Sequence, residues 1–412
     1  MPSFSTALSG LDAESQALSV ISNNLANLNT VGYKAAEPQF QDLFYQQIGT
    51  SGDGNPVQVG VGTTVGSIPA LFTQGGIEST GVPTDVAIQG NGFFVVDNNG
   101  MRAYTRAGNF TVGANGDLLT PDGSVVLGYP AINGTINANQ TLAPIAIPSG
   151  SVSPPKATAN LQLGLNLNSN AAVGDTFDTP VTVYDSLGDT HVLTFTFTKT
   201  VANSWSYEAD IPAADVGQTG NPVSIATGNL TFNGNGQLTS PTGNVTGITI
   251  SGLADGASNL NFNWDLYGAN NSPIVTQVSS PSTTSLTQQD GYASGTLVNF
   301  NIQSDGTIQG IFSNGQTLPL GQIALASFSN EQGLVRNGSN EFIASLSSGQ
   351  PNIGAPNTGG RGTLAGGSLE QSNVDIATEF AQLILAERGY QANSRVVTTL
   401  DQVTQDAIAM QQ

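Results

Sequence analysis

The chain contains one histidine, His191, and no cysteine, which limits the metal and acid–base chemistry available to its side chains. A structural zinc site uses four Cys or His ligands, and a serine hydrolase needs its histidine beside a nucleophile on a strained turn. The sequence has no Gly-x-Ser-x-Gly motif, which is the form such a turn takes in many hydrolases. His191 lies in a segment that alternates apolar and polar residues. We therefore predict a structural histidine in a β-strand, with no metal.

Two other motifs resemble ion-binding loops but depart from the known patterns. The glycines from Gly60 to Gly66 lack the spacing and the Lys-Ser/Thr pair of a phosphate-binding loop. Asp185 and Asp189 flank Gly188, but no ladder of oxygen ligands follows as in a calcium-binding loop, so a turn is the better interpretation. Glycoside cleavage needs two carboxylates that can be distant in sequence, and nothing singles out one pair. We expect no catalytic residue and no cofactor.

The composition favours several β-rich domains over disorder. The 412 residues suggest two to four domains, and 38% of them are hydrophobic although only 9% are charged. With 29 acidic and 9 basic residues, the chain has no basic stripe for nucleic acid. The absence of cysteine fits either a reducing compartment or a protein that refolds after export. We expect no membrane span, because no apolar run approaches the roughly 20 residues required.

Both ends of the sequence show helical periodicity. We predict one helix over residues 4–28 and a second from Asn373 onward, with Ser372 or Asn373 as its N-cap. The first has apolar residues at steps of three, four and seven, and those of the second fall near heptad spacing. Neither stripe can be buried by its own helix, so the helices should pair with each other or with neighbouring subunits. The candidate assembly residues are Leu8, Leu11, Leu18, Ile21 and Leu25, then Phe380, Leu383, Tyr390, Leu400 and Val403, with Asn24 and Asn27 fixing register or the chain turn.

Between the helices the sequence changes to short strands and Gly/Asn turns. We predict a mainly β fold with α-helical termini, in which residues 1–34 and 368–412 form a coiled-coil domain and 35–69 an extended linker. Residues 70–148 and 286–367 should form an inner β domain, into which an outer β domain, 149–285, is inserted. Both β domains should resemble a barrel or sandwich. Within the linker, the apolar spacing at Phe40, Leu43, Phe44 and Ile48 suggests a short helix.

Three long motifs, in the same order, resemble those of the flagellar rod and hook protein family. Residues 7–11 (ALSGL) and 21–34 (ISNNLANLNTVGYK) resemble its N-terminal signature, and 85–96 (DVAIQGNGFFVV), extended by 104–110 (YTRAGNF), its middle signature. Residues 367–375 (GSLEQSNVD) and 387–395 (ERGYQANSR) resemble the C-terminal signature. The insert favours a hook subunit, because YDSLGDTH at 184–191 resembles the outer domain of hook proteins. The shorter distal rod protein is the alternative within the family.

The resemblance implies a structural subunit rather than an enzyme. Such a subunit polymerises into the hook, a flexible extracellular tube that acts as a universal joint and transmits torque from rod to filament. The implied partners are further copies of the chain, the distal rod protein, the hook cap, the hook–filament junction protein and the flagellar type III export apparatus, which needs no cleaved signal peptide. A secreted β-rich adhesin and a polysaccharide-active enzyme are alternatives from other classes, but neither explains the matching helical ends.

Overall fold

The computed structural model describes residues 2–132, 134–148, 150–268 and 270–410. The chain divides into two compact units. Unit 1 comprises Met1–Ser149, Asn299–Gly310 and Leu318–Gln412, and unit 2 comprises Gly150–Val298 and Ile311–Thr317. The chain thus leaves unit 1 at Gly150, returns at Asn299, and enters unit 2 a second time over Ile311–Thr317.

The elements of the first third of the chain are one helix and thirteen strands. They are α1 (Pro2–Ala26), β1 (Gln39–Asp42), β2 (Tyr45–Thr50), β3 (Pro56–Gly60), β4 (Thr63–Ser67), β5 (Ile77–Ser79), β6 (Val86–Gln89), β7 (Phe93–Asn98), β8 (Met101–Thr105), β9 (Thr111–Val112), β10 (Leu118–Leu119), β11 (Val125–Ile132), β12 (Thr135–Ile136) and β13 (Ala143–Pro144).

The middle of the chain consists of strands and one short 3₁₀ helix, Ala213–Val216. The strands are β14 (Val152–Ser153), β15 (Asn160–Asn168), β16 (Thr176–Tyr184), β17 (Thr190–Val201), β18 (Ser204–Ile211), β19 (Val223–Phe232), β20 (Leu238–Ser240), β21 (Val245–Ile250), β22 (Leu260–Asp265), β23 (Val275–Val278), β24 (Thr283–Gln289) and β25 (Gly295–Ile302).

The last part of the chain returns through short strands to a long helix. Its elements are β26 (Thr307–Phe312), β27 (Thr317–Ile323), β28 (Leu325–Ser327), a 3₁₀ turn (Glu331–Gly333), β29 (Val335–Gly338), β30 (Glu341–Ile343), β31 (Asn352–Gly354), β32 (Thr363–Gly366), β33 (Ser368–Glu370) and α2 (Ile376–Ala409).

The ends of both helices follow from local chemistry. After α1, the backbone oxygen of Asn23 accepts from both the backbone N–H of Asn27, at 3.2 Å, and its side-chain amide, at 2.9 Å. Gly32, at φ 68°, then turns the chain. At the start of α2, the carboxylate of Asp375 accepts from the backbone N–H of Thr378 at 2.7 Å. The predicted caps Ser372 and Asn373 are therefore wrong by two or three residues.

The short helix expected around Phe40 to Ile48 is also wrong. This segment forms β1 and β2, which pair antiparallel with β4 and β3 respectively. The apolar residues have helical spacing, but Phe40, Phe44 and Ile48 are exposed, so a helix here would bury little hydrophobic surface. The Val- and Thr-rich segment that follows supplies strand partners instead, which decides the local structure.

The β core of unit 1 is built around β7. This strand is buried along Phe93–Val96 and pairs with β8, β11 and β28, all antiparallel. Phe93 packs edge-on against Phe72, with ring centroids 5.4 Å apart, and lies 5.8 Å from Phe342. Aromatic residues far apart in sequence thus close this core.

Unit 2 is a pair of sheets around one hydrophobic core. The first sheet is a meander, β16-β17-β18-β19-β20, and the second has the order β21-β22-β15-β23, with β24 also paired to β15. Strands β16–β18 alternate buried and exposed residues, as a sheet with one covered face requires. Trp205 and Trp264 are both fully buried in this core.

These features confirm the predicted mainly β fold with helical termini. The sheets of the described residues are open, and none of them closes into a barrel. Of the helices in the described ranges, none combines the length and the apolar content needed to cross a bilayer.

Candidate functional site

The two terminal helices pack on each other along a seam of small side chains. Ala17, Ile21 and Ala386 are buried at its centre, with Leu18, Leu25 and Leu383 packed around them. Towards the free ends, glycines allow closer approach. A Cβ at Gly10 would lie 2.7 Å from the Asn393 side-chain nitrogen, and one at Gly389 would lie 2.5 Å from a Glu14 carboxylate oxygen. The helix pair therefore combines a small apolar cluster with close approach at two glycines.

The predicted assembly residues fall into two groups in this helix pair. Ile21 and Asn24 are buried, and Leu11, Leu18, Leu25, Asn27, Leu383 and Leu400 are partly buried. Leu8 is 53% exposed, Phe380 51% and Val403 57%, and Tyr390 is also exposed. All described residues from Asp401 to Met410 are exposed. The structure thus brings only part of the predicted stripe together and leaves the rest on the surface.

Sequence reasoning missed three buried alanines of α1. Ala7, Ala13 and Ala17 are each at most 5% exposed, and they follow one another at steps of six and four. Because alanine is only weakly apolar, the prediction of the assembly residues was based on the leucines. The usable signal was the run of small residues itself, with Gly10 between Ala7 and Ala13.

Asn24 fixes the turn by which the chain leaves α1. Its side-chain oxygen accepts from the Ala36 backbone N–H at 3.0 Å and from the Tyr33 hydroxyl at 3.2 Å. Its amide donates to the Ala36 carbonyl at 2.8 Å and to Glu379 Oε1 at 2.9 Å. One buried amide therefore binds the returning chain and α2 together. Asn27 lies at the edge of this turn and accepts from the Thr30 hydroxyl at 3.1 Å.

Glu379 is a buried acid in the same helix pair. Its Oε1 has the hydrogen bond from Asn24, whereas its buried Oε2 has no hydrogen-bond partner among the described residues. Burial raises the pKa of the Glu379 carboxyl; the Asn24 hydrogen bond opposes the rise, and the charges of Glu37 and Asp375 add to it. The ionised form is thus poorly accommodated.

A buried ion cluster joins the segments that follow α1 and precede α2. Lys34 Nζ lies 2.6 Å from Glu370 Oε1 and donates to the Thr73 carbonyl at 2.7 Å. Arg106 Nε lies 3.4 Å from Glu370 Oε2, at ion-pair distance without hydrogen-bond geometry. Burial lowers the pKa of the Lys34 ammonium, and the Glu370 carboxylate opposes that change. The cluster therefore ties the segment after the C-terminal end of α1 to the segment before the N-terminal end of α2.

A hairpin next to the helices exposes further apolar side chains. It is formed by β2 and β3, and every residue of both strands is exposed. Phe44, just before it, is 93% exposed, and Tyr45 and Ile48 also face outward. An isolated two-stranded hairpin is at best marginally stable in water. Sequence reasoning treated the Gly- and Val-rich stretch from Val57 to Gly66 as part of an extended linker and missed this pairing.

The one histidine lies in unit 2 among carboxylates. Asp185, His191 and Asp255 place one potential ligand atom each within 4.8 Å of one another, which makes them the one candidate group for a metal ion within the described ranges. Both ring nitrogens already face carboxylate oxygens, Asp215 Oδ2 at 3.0 Å and Asp185 Oδ2 at 3.3 Å. We interpret the group as an ion-paired structural histidine and assign no metal to it.

Comparison with known proteins places these features in a family. Family profiles match in succession: a flagella basal body rod protein at 4–34, the flagellar hook protein FlgE/F/G D1 domain at 87–161, the flagellar basal body protein FlaE D2 domain at 156–292, and the flagellar basal body rod FlgEFG protein C-terminal segment at 365–410. The chain is therefore built like an axial protein of the bacterial flagellum.

Full-length relatives narrow the class. The chain is 38% identical to the flagellar hook protein FlgE of Salmonella typhimurium, covering 97% of this chain and 98% of the relative, and 33% identical to that of Treponema pallidum, covering 100% and 99%. It also shares its fold with the Helicobacter pylori flagellar hook protein FlgE2 (TM-score 0.51, 16% identity, 70% of this chain and 98% of that one). The chain belongs to the flagellar hook protein family, and its role is structural. These matches extend through the inserted unit, which sets the distal rod alternative aside.

Proposed function

We propose that the chain polymerises into the hook through the apolar surface that its terminal helices leave uncovered. The observation that carries this proposal is the division of the helix pair into two faces. The inner seam is centred on Ala17, Ile21 and Ala386, whereas Leu8, Phe380 and Val403 remain exposed. Large apolar side chains outside an intramolecular seam gain burial only from another molecule. The exposed hairpin of β2 and β3 adds a second surface of the same kind.

On this proposal, the partners and location follow the family. The chain binds further copies of itself along the tube, with the distal rod protein at one end and the hook cap or the hook–filament junction protein at the other. It leaves the cell through the flagellar type III export apparatus and works outside the cell, where the tube transmits torque to the filament as a universal joint. Its function lies in assembly and not in catalysis.

The four-part division stays part of the proposal. Residues 1–34 and 368–412 act as the coiled-coil domain, 35–69 as a connecting segment, 70–148 and 286–367 as the inner β domain, and 149–285 as the outer one. In this arrangement the helices pack along the tube, and the inserted domain makes contacts that can slide when the tube bends.

The test compares charged substitutions on the exposed helical face with a matched control. Leu8→Asp and Phe380→Asp place a charge on the proposed interface, and Ser15→Asp adds the same charge at an exposed polar position of α1. Each variant is expressed in a strain that lacks its own hook gene, and hooks are counted by electron microscopy. We expect the first two to abolish hooks and motility, and Ser15→Asp to preserve both.

Monomer stability provides the control for folding. Because Leu8 and Phe380 are half-exposed in the monomer, the Asp variants should unfold at nearly the same temperature as the parent chain. Normal hooks from both Asp variants would refute the proposed interface.

A further inference from the structure

His191 is surrounded by three acidic side chains that come from three separate segments of unit 2. The histidine is in β17, opposite Val183 of β16. Its Nδ1 lies 3.0 Å from Asp215 Oδ2, in the 3₁₀ helix. Its Nε2 lies 3.3 Å from Asp185 Oδ2, at the end of β16, and 3.7 Å from Asp255 Oδ2, in the turn before β22. The ring and Asp185 are buried, and Asp215 and Asp255 are partly covered.

The number of hydrogen bonds that the His191 ring can donate depends on whether the ring is neutral or protonated. An ionised carboxylate only accepts hydrogen bonds, and a neutral imidazole has one N–H and one lone pair. A neutral ring can therefore donate to Asp215 or to Asp185, but must turn a lone pair towards the other carboxylate. The imidazolium donates from both nitrogens and also places a positive charge among three acidic groups.

Each acidic partner of the ring also organises backbone around it. Asp185 Oδ1 accepts from the backbone N–H groups of Leu187 and Asp189, at 2.8 and 2.9 Å, and so holds the turn between β16 and β17. The backbone carbonyl of Asp215 accepts from the N–H of Ala254 at 2.9 Å, which links the 3₁₀ helix to the turn of Asp255. The ring is thus the point where three connecting segments meet.

We propose that the protonation state of His191 controls how firmly three segments of unit 2 are held together. As the imidazolium, His191 ties the 3₁₀ helix to the turns around Asp185 and Asp255. As the neutral ring it keeps its shorter contact with Asp215 and releases the other two segments, because the Nε2 lone pair then faces their carboxylates. This device does not depend on how the chain assembles.

The electrostatics of the site agree with the geometry. Burial acts to lower the pKa of His191, but the hydrogen bonds and charges of Asp215 and Asp185 outweigh it and raise the pKa above the ordinary value. A folded-state pKa above the unfolded one means that the histidine stabilises unit 2 fully below the ordinary pKa of about 6.5. This contribution is lost as the pH rises through the raised, folded-state value.

The test uses the full-length, untagged chain with a chelator present. Because the sequence has one histidine, the Cε1–H signal in a proton–carbon NMR spectrum is assigned without ambiguity. We expect its midpoint in the folded chain to exceed the midpoint of the same signal in concentrated urea. Asp215→Asn should lower the folded midpoint, whereas Asp178→Asn, an exposed acid of β16 far from the ring in register, should leave it in place.

A second measurement tests whether the protonation of His191 also stabilises unit 2. The unfolding temperature of unit 2, followed by tryptophan fluorescence, should fall in the parent chain as the pH rises from below about 6.5 to alkaline values, and this fall should be reduced in His191→Gln. A folded midpoint at or below the urea value would overturn the proposal, and so would an unchanged pH dependence in His191→Gln.

Discussion

Unit 2 and the terminal helices bury apolar surface in opposite ways. Unit 2 encloses one continuous core between its two sheets, including both tryptophans. The helix pair has three buried apolar residues at its centre, Ala17, Ile21 and Ala386, and leaves larger side chains such as Phe380 exposed. Unit 2 buries its apolar core within the chain. The helix pair buries its inner seam but leaves apolar side chains exposed on its outer face. A single sequence can thus divide its apolar residues between folding and assembly.

The comparison can be measured because each region has its own spectroscopic signal. Both tryptophans of the chain, Trp205 and Trp264, lie in unit 2, so fluorescence reports on that unit. The two long helices are the main source of helical circular dichroism near 222 nm. Substitutions in one region should therefore shift one signal and spare the other.

The largest effect is expected in the core of unit 2. Phe195 is fully buried, and its ring centroid lies 5.1 Å from that of Trp264. Phe195→Ala should lower the free energy of unfolding of this unit by about 3–5 kcal/mol, through lost burial and a cavity. Fluorescence-detected urea unfolding should move to a lower midpoint while the helical signal stays. A matched shift of both signals would show that the regions unfold as one, and half-exposed Leu8→Ala serves as the control.

A smaller effect is expected at the turn after α1. Asn24→Ala removes the four hydrogen bonds of this side chain and leaves the backbone groups of Ala36 without that partner. The helical signal should then unfold with a free energy lower by about 1–3 kcal/mol, and tryptophan fluorescence should be unaffected. Asn29→Ala, in the same turn but exposed, provides the comparison. Equal midpoints for the two variants would contradict the role assigned to Asn24.

The smallest effect has the opposite sign. Glu379→Gln should stabilise the helix pair at pH 7 by about 1 kcal/mol, because it removes the cost of burying a negative charge. The folded-state pKa of Glu379 is raised, so its stabilising contribution is complete below the ordinary pKa of about 4.3 and is lost as the pH rises through the raised value. The gain should therefore shrink as the pH is lowered to 4. Glu387→Gln, on an exposed part of α2, should show no such gain.

The sequence predicted the periodic elements well and the contacts between distant residues poorly. Both terminal helices, the turn at Asp185–Asp189 and the strand of His191 follow from local spacing and turn residues, which the structure confirms. The apolar spacing at 40–48 misled because strand pairing with distant residues overrode it. The carboxylates around His191 come from segments up to 64 residues away, as the numbering of Asp255 shows, and no local pattern connects them.

The bonds between the two helical ends also set an order of folding. Lys34 and Glu370 are 336 residues apart in the chain, and Asn24 and Glu379 are 355 apart. Whether the chain folds during synthesis or refolds after export, α1 lacks its partner until α2 is present, and most helical stability in proteins comes from tertiary packing. Unit 2 needs nothing beyond Thr317 and can close earlier. The first helix to be made is therefore the last to be fixed.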